Sequence, residues 1–206
     1  MVTGEKRMRI VRRYALTLVL AAVTPAAVAQ NIDWSKWYAG AGLGLGINAH
    51  YRQDGRTLNF DEGMPGATDK SVLGAYRVEG GVQLDPKTLV GLSVSGVGKT
   101  AKINGNDANT NIDNVLATLT WLPAERGFFV RAGLGYSGMV VDDGVDKRHA
   151  GGLGVLAGLG WMWNVVSEHY VTLSVDQSFQ FYHSNNDHRP TRSEFSAAYL
   201  GYMYRH

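Results

Sequence analysis

Residues 170–182 alternate apolar and polar side chains more regularly than any other stretch of the chain. Val171, Leu173, Val175, Phe179 and Phe181 share one parity, and Thr172, Ser174, Asp176, Ser178 and Gln180 share the other. A period of two is the mark of a β-strand with one apolar and one polar face. In a soluble sheet the apolar face turns to a core; in a membrane barrel it turns to lipid while the polar face lines the lumen. The alternation fits both, so the start of the chain, its connections and its aromatic residues must decide.

The first segment carries Lys6, Arg7, Arg9, Arg12 and Arg13, then the apolar run 14–23, then Ala27-Val28-Ala29. That order reads as a cleaved secretory signal over residues 1–29, with residues 30–206 as the mature domain. The apolar run is well short of the roughly 20 residues that span a bilayer as a helix. Loss of five basic side chains and Glu5 turns the formal charge of +2 into −2, so no nucleic-acid partner is expected. The chain has no cysteine, which excludes a disulfide scaffold and a zinc–thiolate site; no cofactor or metal is expected. Beyond the leader no apolar run approaches a membrane helix, so a mature chain in a bilayer has to be a barrel.

Seven further segments share the two-residue period: 37–47, 72–84, 88–98, 111–122, 128–140, 151–163 and 194–206. The connections between the eight strands run to roughly 24, 3, 13, 5, 10, 5 and 11 residues, an alternation of outer loops and short periplasmic turns. Trp37, Trp121, Trp161, Trp163, Tyr202 and Tyr204 all fall at the short-turn end, as an aromatic girdle at headgroup level would. Tyr136, Phe179 and Phe181 fall at the other end and predict a thinner second girdle. The fold class expected is therefore all-β, an eight-stranded antiparallel transmembrane β-barrel in the cell outer membrane.

Three short segments carry a family resemblance: Trp37-Tyr38-Ala39-Gly40-Ala41-Gly42-Leu43-Gly44, Phe129-Val130-Arg131-Ala132-Gly133-Leu134-Gly135-Tyr136 and Leu200-Gly201-Tyr202-Met203-Tyr204-Arg205-His206. The chain resembles the small OmpA/OmpX-like outer-membrane β-barrel proteins of Gram-negative bacteria. The resemblance implies outer-membrane lipid, lipopolysaccharide and the assembly machinery as partners, and a monomer. It also implies a C-terminal aromatic, where this chain ends in His206 with Tyr204 as the nearest substitute.

Arg77, Glu79, Arg131 and Asp176 fall on the lumen parity. Charge inside a narrow barrel is costly unless paired, so these four are expected to form a network, joined by Gln83 and Gln180. Gly96-Val97-Gly98-Lys99-Thr100 imitates the end of a phosphate loop, but it lacks the earlier glycine, Ser93 standing there, and the helix that should follow. The stretch His183-Ser184-Asn185-Asn186-Asp187-His188, with Glu194 beyond, resembles the lipid A deacylases; if it acted so, Ser184 would be the nucleophile, His183 or His188 the base and Glu194 the orienter. Their spacing is not met, because adjacent residues of an extended strand point to opposite faces, and no catalytic residue is assigned. Outer-loop charges, Asp142, Asp143 and Asp146 against His183, His188, Arg189 and Arg192, are placed either to pair with one another or to hold lipopolysaccharide phosphates and their cations. The function expected is a structural or surface-interaction role through the extracellular loops. A narrow solute channel is the second reading and a lipid A-modifying hydrolase the third.

Overall fold

A computed structural model describes residues 33, 35–60, 62, 71–103, 105–142, 147–183 and 190–206. The expected signal segment, 1–29, lies outside the described residues, as do Ser184, His188, Arg189, Asp143 and Asp146. Nine strands follow in order: β1 (Trp37–Gln53), β2 (Arg56–Asn59), β3 (Gly74–Asp85), β4 (Thr88–Ile103), β5 (Asn106–Trp121), β6 (Gly127–Asp142), β7 (Lys147–Val166), β8 (His169–Tyr182) and β9 (Arg192–Arg205). Every neighbouring pair is antiparallel, and β1 pairs with both β3 and β9. Eight strands thus close a barrel without a free edge, and β2 is a short return limb on the upper end of β1.

Along each barrel strand the parity assigned from the sequence matches the faces. On β8, Thr172, Ser174, Asp176, Ser178 and Gln180 are buried while Leu173, Val175 and Phe181 are exposed. Outward side chains include Leu43 at 76% exposure, and Leu92, Leu134, Leu159 and Leu200 in the same condition. A water-soluble monomer does not present a continuous apolar belt of this kind. On β7 the belt runs through Leu153, Val155, Ala157, Leu159, Trp161 and Trp163. Ten steps of about 3.3 Å, tilted by about 40°, rise roughly 25 Å, the height of the lipid-facing band of an outer-membrane barrel.

Among the described residues, parts of the long outer loops expected from the sequence are strand, because the ladders continue. Residues 99–110, read as a polar loop, pair from Lys99↔Thr110 up to Ile103↔Asn106. Asn104-Gly105 leaves a two-residue connection, and Gly105 sits at φ +84. Such a connection favours φ > 0, the strain that glycine avoids. Likewise 48–53, read as loop, prolongs β1 to the turn at Asp54 (φ 50) and Gly55 (φ 76). A bulge between Gly46 and Asn48 resets the parity there, so Ala49 and Tyr51 face inward. Residues 141–142 and 147–150 also extend β6 and β7.

The interior is layered. Tyr38, Leu89, Leu122, Phe129, Met162 and Met203 form a buried apolar plug at the short-turn end. A second apolar cluster, with Tyr51, Ile112, Met139, Phe195 and Tyr199, fills the outer end. Polar and charged residues lie between the two.

Candidate functional site: the lumen network and its two rims

Arg77 and Glu79 stand on β3, Arg131 on β6 and Asp176 on β8, and the structure brings all four together across the barrel. Arg77 Nη1 donates to Asp176 Oδ2 at 2.9 Å and to Ser174 Oγ at 3.0 Å, while its Nε lies 3.5 Å from Glu79 Oε1. Arg131 Nη2 lies 2.9 Å from Glu79 Oε2, its Nη1 3.8 Å from Asp176 Oδ2, and its Nε donates to Thr120 Oγ1 at 3.3 Å. Each carboxylate thus meets both guanidinium groups, and the set is formally neutral. The side chains are no more than 3% exposed, so desolvation makes each charge dependent on its partners. The Arg77 guanidinium also lies 4.8 Å above the Tyr199 ring, and that of Arg131 5.6 Å from the Phe129 ring.

Glycine makes the room. Gly158 is the cross-strand partner of Asp176, and a Cβ there would stand 2.1 Å from Asp176 Oδ1. A side chain at 158 would therefore require the Asp176 carboxylate to shift.

The two glutamines do not join this network. Gln180 donates through Nε2 to Ser178 Oγ at 2.8 Å and accepts from Ser193 Oγ at 2.7 Å. With Asn114 donating to Ser178 Oγ at 3.1 Å and Tyr182 within 2.6 Å of Ser193 Oγ, it forms a separate polar layer nearer the outer end. Gln83 sits at the opposite mouth, accepting from Arg205 Nη2 at 3.0 Å. Parity reports the face of a strand and says nothing about height, which strand tilt and stagger set. Arg205, whose inward parity on β9 is the sequence signal for it, also donates to the Glu125 and Pro86 carbonyls, each at 3.3 Å, and so ties together two periplasmic turns.

At the short-turn rim Trp37, Trp121, Trp161, Trp163 and Tyr202 are exposed and Tyr204 partly so. The Trp37 and Tyr204 rings lie 5.0 Å apart, and His206 stacks on Tyr204 at 6.5 Å and 11°. His206 N donates to the Trp37 carbonyl at 2.8 Å, so the last residue occupies the aromatic cluster. Tyr204 donates its hydroxyl to Glu168 Oε2 at 2.6 Å, which holds the turn residue's carboxyl below the usual range. Asp85, bonded by the Lys87 amide at 2.7 Å, is lowered for the same kind of reason.

At the outer rim, Asp142 pairs in register with Lys147. His183 N donates to the Gly151 carbonyl at 3.1 Å. Glu194 stands 3.7 Å from Arg192, on the outer face of β9. Gly96–Thr100 lies within β4, in strand conformation throughout.

No family model matches the chain, and no curated protein matches it. Solved structures do. Neisserial surface protein A superimposes with a TM-score of 0.57 at 8% identity, over 82% of this chain and 97% of that one. Ail, the attachment invasion locus protein of Yersinia pestis, solved in complex with the heparin analogue sucrose octasulfate, superimposes with a TM-score of 0.52 at 15% identity, over 83% of this chain and 98% of that one. At these identities the likeness is one of fold. The chain has the architecture of the small OmpA/OmpX-like outer-membrane barrels, and its apolar belt gives it a bilayer as solvent.

Proposed function

We propose that the protein is a non-conducting, non-enzymatic outer-membrane barrel whose role is structural or interactive and is exercised at its outer surface. One observation carries this reading: the lumen is filled. The plug of Leu89, Leu122, Phe129, Met162 and Met203 spans the short-turn end, each side chain at most 2% exposed. Above it the neutral quartet of Arg77, Glu79, Arg131 and Asp176 joins three strands. An eight-stranded barrel is only wide enough for its own side chains to fill, so a solute path would require both layers to move. Ail, of the same fold, is solved in complex with the heparin analogue sucrose octasulfate, which supports an interactive role.

Reconstituted into a planar bilayer, the purified barrel is expected to leave the membrane silent, with no resolved conductance steps. Stable unitary steps that disappear when Leu122 or Phe129 is enlarged to tryptophan would overturn the reading in favour of a narrow channel.

A further inference from the structure

Three short turns close the periplasmic end of the barrel: Asp85-Pro86-Lys87 between β3 and β4, residues 122–126 between β5 and β6, and Ser167-Glu168 between β7 and β8. Arg205 reaches two of them from the inward face of β9, and only 8% of it is exposed. Its Nη1 donates to the Glu125 carbonyl, and its Nη2 donates to Gln83 Oε1 and to the Pro86 carbonyl. All three acceptors are neutral. Among the described residues no carboxylate pairs with this guanidinium, whereas Arg77 and Arg131 each meet two. A buried cation without a counter-ion is costly, and three bonds leave two of the five N–H donors of an arginine to be met.

The neighbouring acids are engaged elsewhere. Asp85 accepts from the Lys87 amide at 2.7 Å, and Glu168 accepts from the Tyr204 hydroxyl at 2.6 Å with His206 3.6 Å away. Arg205 instead walls a cleft of about 240 Å³, lined also by Glu125, Arg126, Asn164, Ser167 and Tyr170. At about 30 Å³ per water that is the space of roughly eight waters, more than a bare carboxylate fills. The Tyr170 ring lies 5.6 Å from the Arg205 guanidinium and packs against the apolar plug, which gives the cleft a floor. Glu125 at φ 65 and Ser167 at φ 49 are the two non-glycine residues of the short turns with positive φ, and both line it. Backbone held in this region collects at ligand clamps.

Charge selects the occupant. Arg205 and Arg126 against Glu125 give the cleft a formal charge of +1, which one carboxylate neutralises. A phosphate monoester carries about −1.5 to −2 and would also meet the Glu125 carboxylate. Lipid headgroups lie outside the wall, at the level of the outward Trp37 and Trp163, while Arg205 and Tyr170 have inward parity. A guanidinium suits a carboxylate, and capture of a peptide's terminal carboxylate is a recurrent mode of recognition.

We infer that the periplasmic mouth of the barrel binds the C-terminal carboxylate of a peptide, held by Arg205 and Arg126 with the last residues of the peptide over Tyr170. This surface is separate from the outer one and faces the opposite compartment. The test is isothermal titration of the full barrel in lipid nanodiscs, which leave both mouths open, with acetylated dialanine, its C-terminal amide, acetate and inorganic phosphate. The acid should bind about tenfold more tightly than the amide, which lacks the charge, and about tenfold more tightly than acetate, which lacks the chain. Inorganic phosphate should not displace it. R205Q should abolish the preference for acid over amide and R126Q should reduce it, whereas K147Q, at the outer end of the barrel, should leave it unchanged. Each variant is first checked for heat-modifiable migration on a detergent gel, and the comparison of acid with amide on the wild type decides the matter even if R205Q fails to fold. Equal affinity for acid and amide, acetate binding as tightly as the dipeptide, displacement by phosphate, or a preference unchanged in folded R205Q or R126Q overturns the inference.

Discussion

Replacing Arg131 with methionine is expected to destabilise the barrel by about 3–5 kcal/mol, read as a fall in the urea midpoint of unfolding from lipid vesicles. The substitution leaves Glu79 and Asp176 to share Arg77, so a buried carboxylate loses the guanidinium that meets it at 2.9 Å. The cost is that of an uncompensated charge and does not measure what the original pair contributed. Removing Glu79 together with Arg131, as Arg131→Met with Glu79→Leu, keeps the Arg77–Asp176 pair at 2.9 Å and restores neutrality. More than half of the loss should return in the double variant. A single variant within about 1 kcal/mol of the wild type would mean that the quartet is hydrated from the lumen and that the interior is not sealed.

The second large effect is expected on the opposite face. Leu159 points outward at 55% exposure in the middle of the β7 belt, between Ala157 and Trp161. Leu159→Arg should cost about 2–4 kcal/mol in vesicles, because a guanidinium at mid-bilayer depth has neither water nor a partner. Val165, equally outward but beyond Trp163 at the short-turn end, should accept arginine at a cost of about 0–1 kcal/mol. The gradient between the two positions is the diagnostic quantity. On a water-exposed surface both substitutions would be close to neutral, since an exposed arginine is well solvated.

Residues 170–182 made the fold legible because one face of that strand meets lipid and the other a packed lumen, which forces strict alternation. The same contrast exposed Arg77, Glu79, Arg131 and Asp176 as inward charges. Above the bilayer the contrast vanishes. Lys99, Thr100, Lys102, Asp107 and Asn109 lie on or near β4 and β5 outside the apolar belt, where polar side chains suit either face, so composition imitated a loop while the backbone ladder continued. Asn104-Gly105 and Asp54-Gly55 were the available signals, since both pairs favour two-residue hairpin turns. The bulge at 46–48 was hidden for a different reason: it changes parity within one strand, and a fixed-period reading carries the wrong face past it. Past it Ala49 and Tyr51 face inward, and His50 and Arg52 outward. Layering of the lumen was hidden because Leu89, Phe129 and Met162 share the inward parity with serines and threonines, and only their common height makes them a plug.

Which way the two parities of β8 face is tested directly by single-cysteine spin labelling, the chain having no native cysteine. Labels are placed in turn at Val171, Thr172, Leu173, Ser174, Val175 and Ser178 in the barrel reconstituted in vesicles, leaving Asp176 untouched. Collision with oxygen, which concentrates in hydrocarbon, should peak at 171, 173 and 175. Positions 172, 174 and 178 should be shielded from both oxygen and a water-soluble nickel reagent. Nickel access at 172, 174 and 178, with the odd positions closed to oxygen, would place the apolar face in a water-soluble core and contradict the barrel in lipid.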